Sequence, residues 1–186
     1  MLKQALVSSL LLLSSNTLLA QTPLAPAAAQ AAPSGCSSAE SKQFDFWVGR
    51  WEVFPAKTPK QKVADSLIEK LYSGCAVREN WMPLQGGAVG SLNAYNTTEK
   101  SWRQTWLDAT GSFADFRGNW NGKAMVIEGE WPQPGKPHQI TRMTYTPHAD
   151  GSVEQMGETS DDKGKTWQPG FDLIYRPAKN NFRSIY

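Results

Sequence analysis

Residues Phe44 to Phe54 read FDFWVGRWEVF, and five of these eleven positions are aromatic around a single glycine. A buried strand would need its rings to alternate, and a helix would not keep Gly49 in its middle. We therefore predict a short helix that begins after Ser38, runs through Trp47 and ends at the glycine. The three rings before the glycine would then cap one end of a β-barrel. Trp51 would point inward from its first strand.

Short apolar and aromatic runs alternate with turn residues along the rest of the chain. Asn121-Gly122 is the strongest turn signal, because a type I′ hairpin turn needs positive φ at both positions. Regular turns with short connections predict an all-β fold, a closed up-and-down antiparallel barrel of about ten strands. The predicted strands begin near Arg50, Ala64, Cys75, Gly90, Trp102, Ser112, Lys123, Gln139, Ser152 and Phe171.

The segment from Lys62 to Tyr72 has two interpretations. Its apolar residues recur at helical spacing, and Gly74 could end a helix. A barrel, however, needs a strand at this place to pair with the first one, because an unpaired edge would expose backbone groups to other chains. We predict a strand from Ala64 to Tyr72.

The N-terminal residues predict a secreted protein. Residues 1–20 combine a positive Lys3 with an apolar run and a small-residue cleavage site after Ala20, which is typical of a signal peptide and too short for a membrane span. Residues 21–35 are rich in Ala and Pro and predict a disordered leader. Residues 36–186 would form one barrel domain, in the periplasm or outside the cell.

Charge and histidine placement exclude several partners. The formal charge is +2, of which Lys3 carries one, and the two signs are interspersed, so no basic stripe indicates nucleic acid. His138 and His148 are the only histidines, and both lie beside prolines in predicted turns. Neither is placed to bind haem inside a barrel, and zinc would need three or four ligands. We predict no metal and no cofactor.

Cys36 and Cys75 are the only cysteines. In an oxidising compartment two lone thiols usually pair, and closing this loop would stabilise the fold by about 4 kcal/mol on the chain-entropy estimate. A structural disulfide is therefore favoured over a redox site, for which no CxxC spacing is present.

Gly49-Arg50-Trp51 resembles the G-x-W opening of the lipocalin and calycin group. In that group an arginine from the last strand lies across the tryptophan. The resemblance gives that structural role to Arg176, in FDLIYRP, and a partner role to Trp51.

A wider resemblance covers nearly all of the chain after residue 35. The segments CSSAESKQFDFWVGRWEV, GCAVRENW, GSLNAYN, WRQTWLD and FDLIYRP together resemble a family of secreted bacterial proteins of unknown function. That family opens with FDFWxGxW and is thought to be lipocalin-like, and the resemblance also implies that the two cysteines pair. One run departs from the pattern. Residues 154–158 read EQMGE where an Arg-Gln-x-Trp-Glu run is expected, which removes a ring and adds a carboxylate.

Ser160 to Trp167, SDDKGKTW, fits the Asp-box pattern of sialidase propellers. A propeller needs several copies at regular spacing, and this chain has one. We predict instead a β-hairpin in which the Asp162 side chain bonds the turn backbone and Trp167 packs underneath.

The candidate site consists of polar residues inside aromatic strands, which share a face at spacing two. If that face points inward, the lumen is aromatic with a few convergent polar groups, as in a small-molecule site. Alternatively, the rings fill the core and the polar groups bond each other. The candidate ligand-binding residues are Glu79, Trp81, Asn93, Tyr95, Trp102, Gln104, Trp106 and Asp108.

Three functions fit this pattern. The favoured one is binding of a small, largely apolar ligand in the lumen. The second is an enzyme of isomerase or cyclase type, in which Glu79 or Asp108, raised in pKa by the apolar lumen, is general acid or base. The third is an envelope protein that contacts glycans or a partner through surface tryptophans.

Overall fold

The computed structural model describes residues 36–131 and 133–179. The predicted signal peptide, its cleavage site and the leader lie outside the described residues. Ten antiparallel strands form a closed barrel in which each strand pairs with the next along the chain and the last pairs with the first. The strands are β1 (Gly49–Pro55), β2 (Ala64–Leu71), β3 (Ala76–Pro83), β4 (Val89–Asn96), β5 (Ser101–Asp108), β6 (Phe113–Trp120), β7 (Met125–Glu130), β8 (Ile140–Pro147), β9 (Val153–Ser160) and β10 (Gln168–Pro177).

The ambiguous segment is a strand, as predicted. Trp51 of β1 is the cross-strand partner of Ser66 in β2, and β2 also pairs with β3 along its whole length. Ala64, Ser66 and Ile68 are buried at spacing two. Pairing on both sides satisfies the backbone groups of β2. The closed sheet therefore favours the strand over the helix, between which the side-chain pattern alone does not distinguish.

A short helical segment closes one end of the barrel, which we call the plugged end. It consists of two single-turn 3₁₀ helices, Glu40–Lys42 and Asp45–Trp47, rather than the one continuous helix expected. Phe44 interrupts the helix with φ −104° and ψ 8°. The rings of Phe44 and Trp47 are fully buried, and the Trp51 indole N–H donates to the Trp47 carbonyl at 2.8 Å.

Arg176 does not lie across Trp51, and that prediction is wrong. Tyr175 is buried inside the barrel, and its ring centroid lies 6.3 Å from that of Trp51. Because side chains alternate along a strand, Arg176 must point outward. Its guanidinium lies 4.6 Å from the Phe54 ring centroid and donates to the Pro59 carbonyl at 2.8 Å.

The plugged end is tied down by a disulfide and by an ion pair. Cys36 and Cys75 form the expected disulfide, which joins the start of the helical segment to the turn between β2 and β3. Lys70 of β2 donates to the Ser41 carbonyl at 3.0 Å and lies 2.5 Å from the Asp45 carboxylate. These contacts fix the plug to the second strand.

The single Asp-box sequence forms the predicted hairpin turn. The Asp162 carboxylate accepts backbone N–H bonds from Thr166 at 2.9 Å and from Lys165 at 3.0 Å. These and the side-chain bonds, led by those to Thr166, lower the pKa of Asp162 to about 2. The Trp167 indole donates to the Gly164 carbonyl at 3.1 Å. The motif is thereby accounted for by turn structure.

Within the ranges that the structure describes, no helix has the length and apolar character that a membrane span requires.

Candidate functional site

A cavity of about 150 Å³ lies in the barrel at the end opposite the plug, which we call the open end. Five hairpin connections, β1–β2, β3–β4, β5–β6, β7–β8 and β9–β10, surround that end. The apolar part of the lining consists of Trp81, Val89, Trp106, Trp131, Met143, Phe171 and Leu173. The polar part consists of Glu79, Gln104, Tyr145, Gln155 and Tyr175.

The polar residues belong to a closed circle of hydrogen-bonded side chains that crosses the barrel. We call it the polar ring. Its seven members, in order, are Glu79, Ser91, Asn93, Gln104, Tyr145, Gln155 and Tyr175.

One half of the polar ring comes from β3, β4 and β5. Ser91 Oγ donates to Glu79 Oε2 at 3.0 Å, and Asn93 Nδ2 donates to Ser91 Oγ at 3.1 Å. Gln104 Nε2 donates to Asn93 Oδ1 at 2.7 Å. Glu79 and Ser91 are direct cross-strand partners, as are Asn93 and Gln104. The sheet register therefore brings these side chains together.

The other half comes from β8, β9 and β10. The Tyr145 hydroxyl accepts from Gln104 Nε2 at 3.3 Å and from Gln155 Nε2 at 3.0 Å. The Tyr175 hydroxyl donates to Gln155 Oε1 at 2.6 Å and also lies 3.2 Å from Glu79 Oε1. Both tyrosines are fully buried, and burial raises the pKa of each above its usual value. They are therefore neutral hydrogen-bonding groups at physiological pH.

Glu79 is the one acidic member of the polar ring. Its side chain is buried, and this loss of solvation raises the pKa of the carboxyl to about 7, against a smaller lowering effect of the bonds from Ser91 and Tyr175. The Tyr175 hydroxyl has one hydrogen and two acceptors within reach, Gln155 Oε1 and Glu79 Oε1. When it donates to Gln155, the contact between Tyr175 and Glu79 is completed by a proton on the glutamate.

Gln104 presents an acceptor without a partner. Its side chain is 1% exposed and lines the cavity, and its Oε1 atom makes no hydrogen bond to any described residue. A buried acceptor without a partner costs about 1–3 kcal/mol, so it is rare unless something else supplies the hydrogen. A bound molecule with an N–H or O–H group could donate to it.

The structure brings only some of the predicted site residues to the cavity. Glu79, Trp81, Gln104 and Trp106 line the cavity, while Asn93 lies in the polar ring as a buried partner of Gln104. Two other predicted residues, Tyr95 and Trp102, do not reach the cavity and lie at the plugged end. There the Tyr95 and Trp102 ring centroids lie 6.1 Å apart, and the Trp102 indole donates to Gln43 Oε1 at 3.2 Å.

Asp108 is not a general acid in an apolar lumen, and that prediction is wrong. Its carboxylate bonds the β5–β6 turn, accepting from the Thr110 N–H at 2.8 Å and from the Ser112 N–H at 3.1 Å. The hydroxyl of Thr110 and these backbone bonds lower the pKa of Asp108. The inward alternation of β5 ends at the turn, where this side chain meets backbone donors instead of the lumen.

Sequence reasoning missed the half of the site that comes from the later strands. Tyr145, Gln155 and Tyr175 complete the polar ring, and Trp131 and Phe171 line the cavity. The alternation of β8 and β9 was the available signal, because Tyr145 shares a face with buried Met143 and Gln155 with buried Val153, each two positions away.

Gly157 shapes the wall beside Phe171. A Cβ atom at this glycine would lie 2.3 Å from the nearest ring atom of Phe171. Because position 157 has no side chain, the Phe171 ring can pack against the sheet there.

The eight tryptophans of the chain are all buried or half-buried in the structure. The alternative of an envelope protein that contacts glycans or a partner through exposed tryptophans is therefore not supported. Among the described ring pairs at the open end, Trp106 and Trp131 lie closest together, with ring centroids 4.4 Å apart.

Metal-binding groups are not clustered among the described residues. Within 36–131 and 133–179, no three His, Cys, Asp or Glu side chains come together in a way that could hold an ion. His138 and His148 are exposed residues of turns on the outside of the barrel.

A comparison with models of known protein families finds none that matches this chain, and a comparison with curated proteins finds no significant match.

Proposed function

We propose that this protein binds a small molecule in the open-end cavity, with an apolar group of about one ring in contact with the tryptophans. The observation that carries the proposal is an aromatic cavity closed below by the polar ring, with the Gln104 Oε1 acceptor unpaired. Binding sites of small molecules combine apolar walls with a few placed polar groups in this way.

The cavity volume limits the ligand. At about 150 Å³ it is smaller than the 300–1,000 Å³ typical of sites for drug-sized molecules. A cavity of that volume accommodates a benzene-sized group. The ligand is therefore a compact molecule, or a larger one of which a single ring enters the barrel.

We propose further that the protein works in the periplasm or outside the cell. The Cys36–Cys75 disulfide supports this location, because structural disulfides persist in oxidising compartments.

Binding of neutral ring compounds tests the proposed function. Toluene and benzyl alcohol should quench or shift tryptophan fluorescence in a saturable way. The response should fall in Trp106→Phe and persist in Trp120→Phe, a matched change at the plugged end, where the Trp120 ring packs 5.6 Å from Phe46. Native mass spectrometry of protein purified from its natural host would reveal a retained ligand. No saturable response and no retained molecule would contradict the proposal.

A second candidate is an acid–base enzyme of isomerase or cyclase type on the same cavity. The observation that favours it is the Glu79 carboxyl, which lines the cavity with a pKa of about 7. A group that titrates near neutral pH can both donate and accept a proton there. Turnover of a bound compound that disappears in Glu79→Gln, with binding retained, would identify the enzyme. Retention of an unaltered ligand would favour binding alone.

A further inference from the structure

The polar groups that face the cavity offer lone pairs and no positive charge. Gln104 Oε1 has no partner, and the Glu79 carboxyl lies in the same lining. None of the described residues that line the cavity is Lys, Arg or His. An anionic ligand would have no cation to pair with here, and its charge would lie close to an acidic group. A ligand with several hydrogens to donate finds two acceptors.

The walls favour a positive charge for a separate reason. The faces of aromatic rings are electron-rich, and a cation within about 6 Å of an indole ring is attracted to it. The Trp106 and Trp131 centroids lie 4.4 Å apart on one wall, and Trp81 lies 6.0 Å from Tyr175 on another. Recognition of ammonium groups by aromatic cages likewise relies on several aromatic rings that line one pocket.

We infer that the ligand class of this cavity is a small protonated amine with a single-ring apolar body, whose ammonium group lies between the Glu79 carboxylate and Gln104 Oε1. This inference rests on the proposed function and gives it a substrate class. The three N–H donors of a primary ammonium match the two acceptors and leave one for the aromatic wall or for water.

Binding of the cation requires a proton balance. With a pKa of about 7, Glu79 carries a proton below neutral pH, and this proton can complete the contact to Tyr175 when the tyrosine hydroxyl donates to Gln155. When the ammonium ion enters, Glu79 loses this proton to solvent and becomes the counter-ion. Ammonium plus carboxylic acid therefore give an ion pair and one free proton, and no covalent bond changes. Below neutral pH, binding releases close to one proton per amine.

The residues around Glu79 leave it as the only group of the site that titrates near neutral pH. Ser91 faces it from β4 and Ile68 from β2. Tyr175 of β10 contacts it, and Tyr145 of β8 interacts with its charge; burial and the charge of Glu79 raise the pKa of both tyrosines. Lys70, on the inner side of β2, is held at the plugged end by the Asp45 carboxylate.

The inference predicts that the affinity for the amine depends on pH, whereas the affinity for neutral ligands should not. With a pKa of about 7, Glu79 is ionised in roughly one molecule in a hundred at pH 5 and in nine of ten at pH 8. Amine affinity should therefore rise about a hundredfold between pH 5 and pH 8. Above a pH of about 10 a primary amine loses its own proton, and the affinity should fall again.

Calorimetric titration with benzylamine, benzyl alcohol and benzoate, at pH 5 and pH 8, tests the inference. We expect benzylamine to bind more tightly than benzyl alcohol at pH 8, with the hundredfold pH dependence, and benzoate to bind most weakly. Titrations at pH 6 in buffers of different ionisation enthalpy should show release of close to one proton with benzylamine and none with benzyl alcohol. These measurements use the unaltered protein, so they do not depend on the folding of any variant.

A variant adds a second test. In Glu79→Gln, the ratio of benzylamine to benzyl alcohol affinity at pH 8 should fall to near one and lose its pH dependence. Glu128→Gln, on the outer face of β7, is the matched control and should keep the ratio of the unaltered protein. Benzyl alcohol binding as tightly as benzylamine at both pH values would overturn the inference and leave the proposed function standing. Binding of none of the three compounds would overturn both.

Discussion

Raising the pH should destabilise this barrel through one buried carboxyl. Glu79 has an ordinary pKa of 4.5 in the unfolded chain and a pKa of about 7 in the folded protein, because burial disfavours its charged form. Between these two values the folded state keeps a proton that the unfolded state has lost. Stability must therefore fall as the pH rises through this window.

The magnitude follows from the size of the shift. Each unit of pKa difference corresponds to about 1.4 kcal/mol, so a shift from 4.5 to about 7 costs on the order of 3 kcal/mol once Glu79 is ionised. Below the unfolded value of 4.5 both states are protonated and the cost is absent. Above about 7 both are ionised and the full cost is present.

Glu79→Gln isolates this effect, because the amide matches the protonated carboxyl. Its oxygen can accept from Ser91 and its N–H can donate to Tyr175, the contact that the Glu79 proton can complete in the unaltered protein. The variant cannot ionise, so it should be about 3 kcal/mol more stable at pH 9, relative to the unaltered protein, than it is at pH 4.

Urea unfolding at pH 4 and pH 9, with the disulfide intact, measures the difference. Comparing variant with unaltered protein at each pH cancels the contributions of the surface carboxylates, which are common to both. Glu128→Gln, on the outer face of β7, is the control and should show no pH-dependent difference of this size. If the stability difference between Glu79→Gln and the unaltered protein is the same at both pH values, the account of the polar ring given above is wrong.

Three further changes have distinct expected results. Trp106→Ala should weaken binding of an apolar ring compound more than tenfold if its indole contacts the ligand. A loss of about 3–5 kcal/mol in stability with unchanged or tighter binding would mark the ring as core. Gly157→Ala should displace the Phe171 ring and weaken binding, with thermal unfolding as the check that the barrel still folds. Replacing Cys36 and Cys75 by Ser should lower the free energy of unfolding by about 4 kcal/mol, and a change below 1 kcal/mol would contradict the chain-entropy argument.

The barrel could be predicted because local turn-forming residues mark the connections between its strands. Each of the ten strands begins within three residues of the predicted position. Asn121 and Gly122 lie in the β6–β7 connection, but it spans residues 121–124 and of these two only Gly122 has a positive φ, so the two-residue type I′ turn expected there does not form. The helix-like spacing in β2 was resolved by the need to pair the first strand, a non-local argument that the register confirms. The form of the plug also differed, because its helical segment breaks at Phe44, whose backbone angles are φ −104° and ψ 8°.

The candidate site could be predicted only where alternation was unbroken. On β5, spacing two correctly placed Gln104 and Trp106 inward, but Asp108 lies where the strand gives way to a turn, and the carboxylate bonds the turn backbone. On β10 the same rule, applied to Tyr175, would have excluded Arg176 from the lumen. The half of the polar ring on β8 and β9 had no aromatic run to mark it.

The polar ring is a costly arrangement for a protein that needs only a core. Replacing paired buried polar groups by apolar ones of the same shape is often neutral or stabilising, so the ring is not explained by stability. Hydrogen bonds satisfy most of its members, yet one acceptor has no partner. It is Gln104 Oε1, for which no described residue supplies a hydrogen. Five members of the ring line the aromatic cavity, namely Glu79, Gln104, Tyr145, Gln155 and Tyr175. Four other buried side-chain atoms of the described residues also lack a partner, on Trp47, Asp65, Ser66 and Asp172, and none of these residues lines the cavity. The Gln104 acceptor therefore supports the proposed binding function only together with the aromatic walls beside it, and not by its lack of a partner alone.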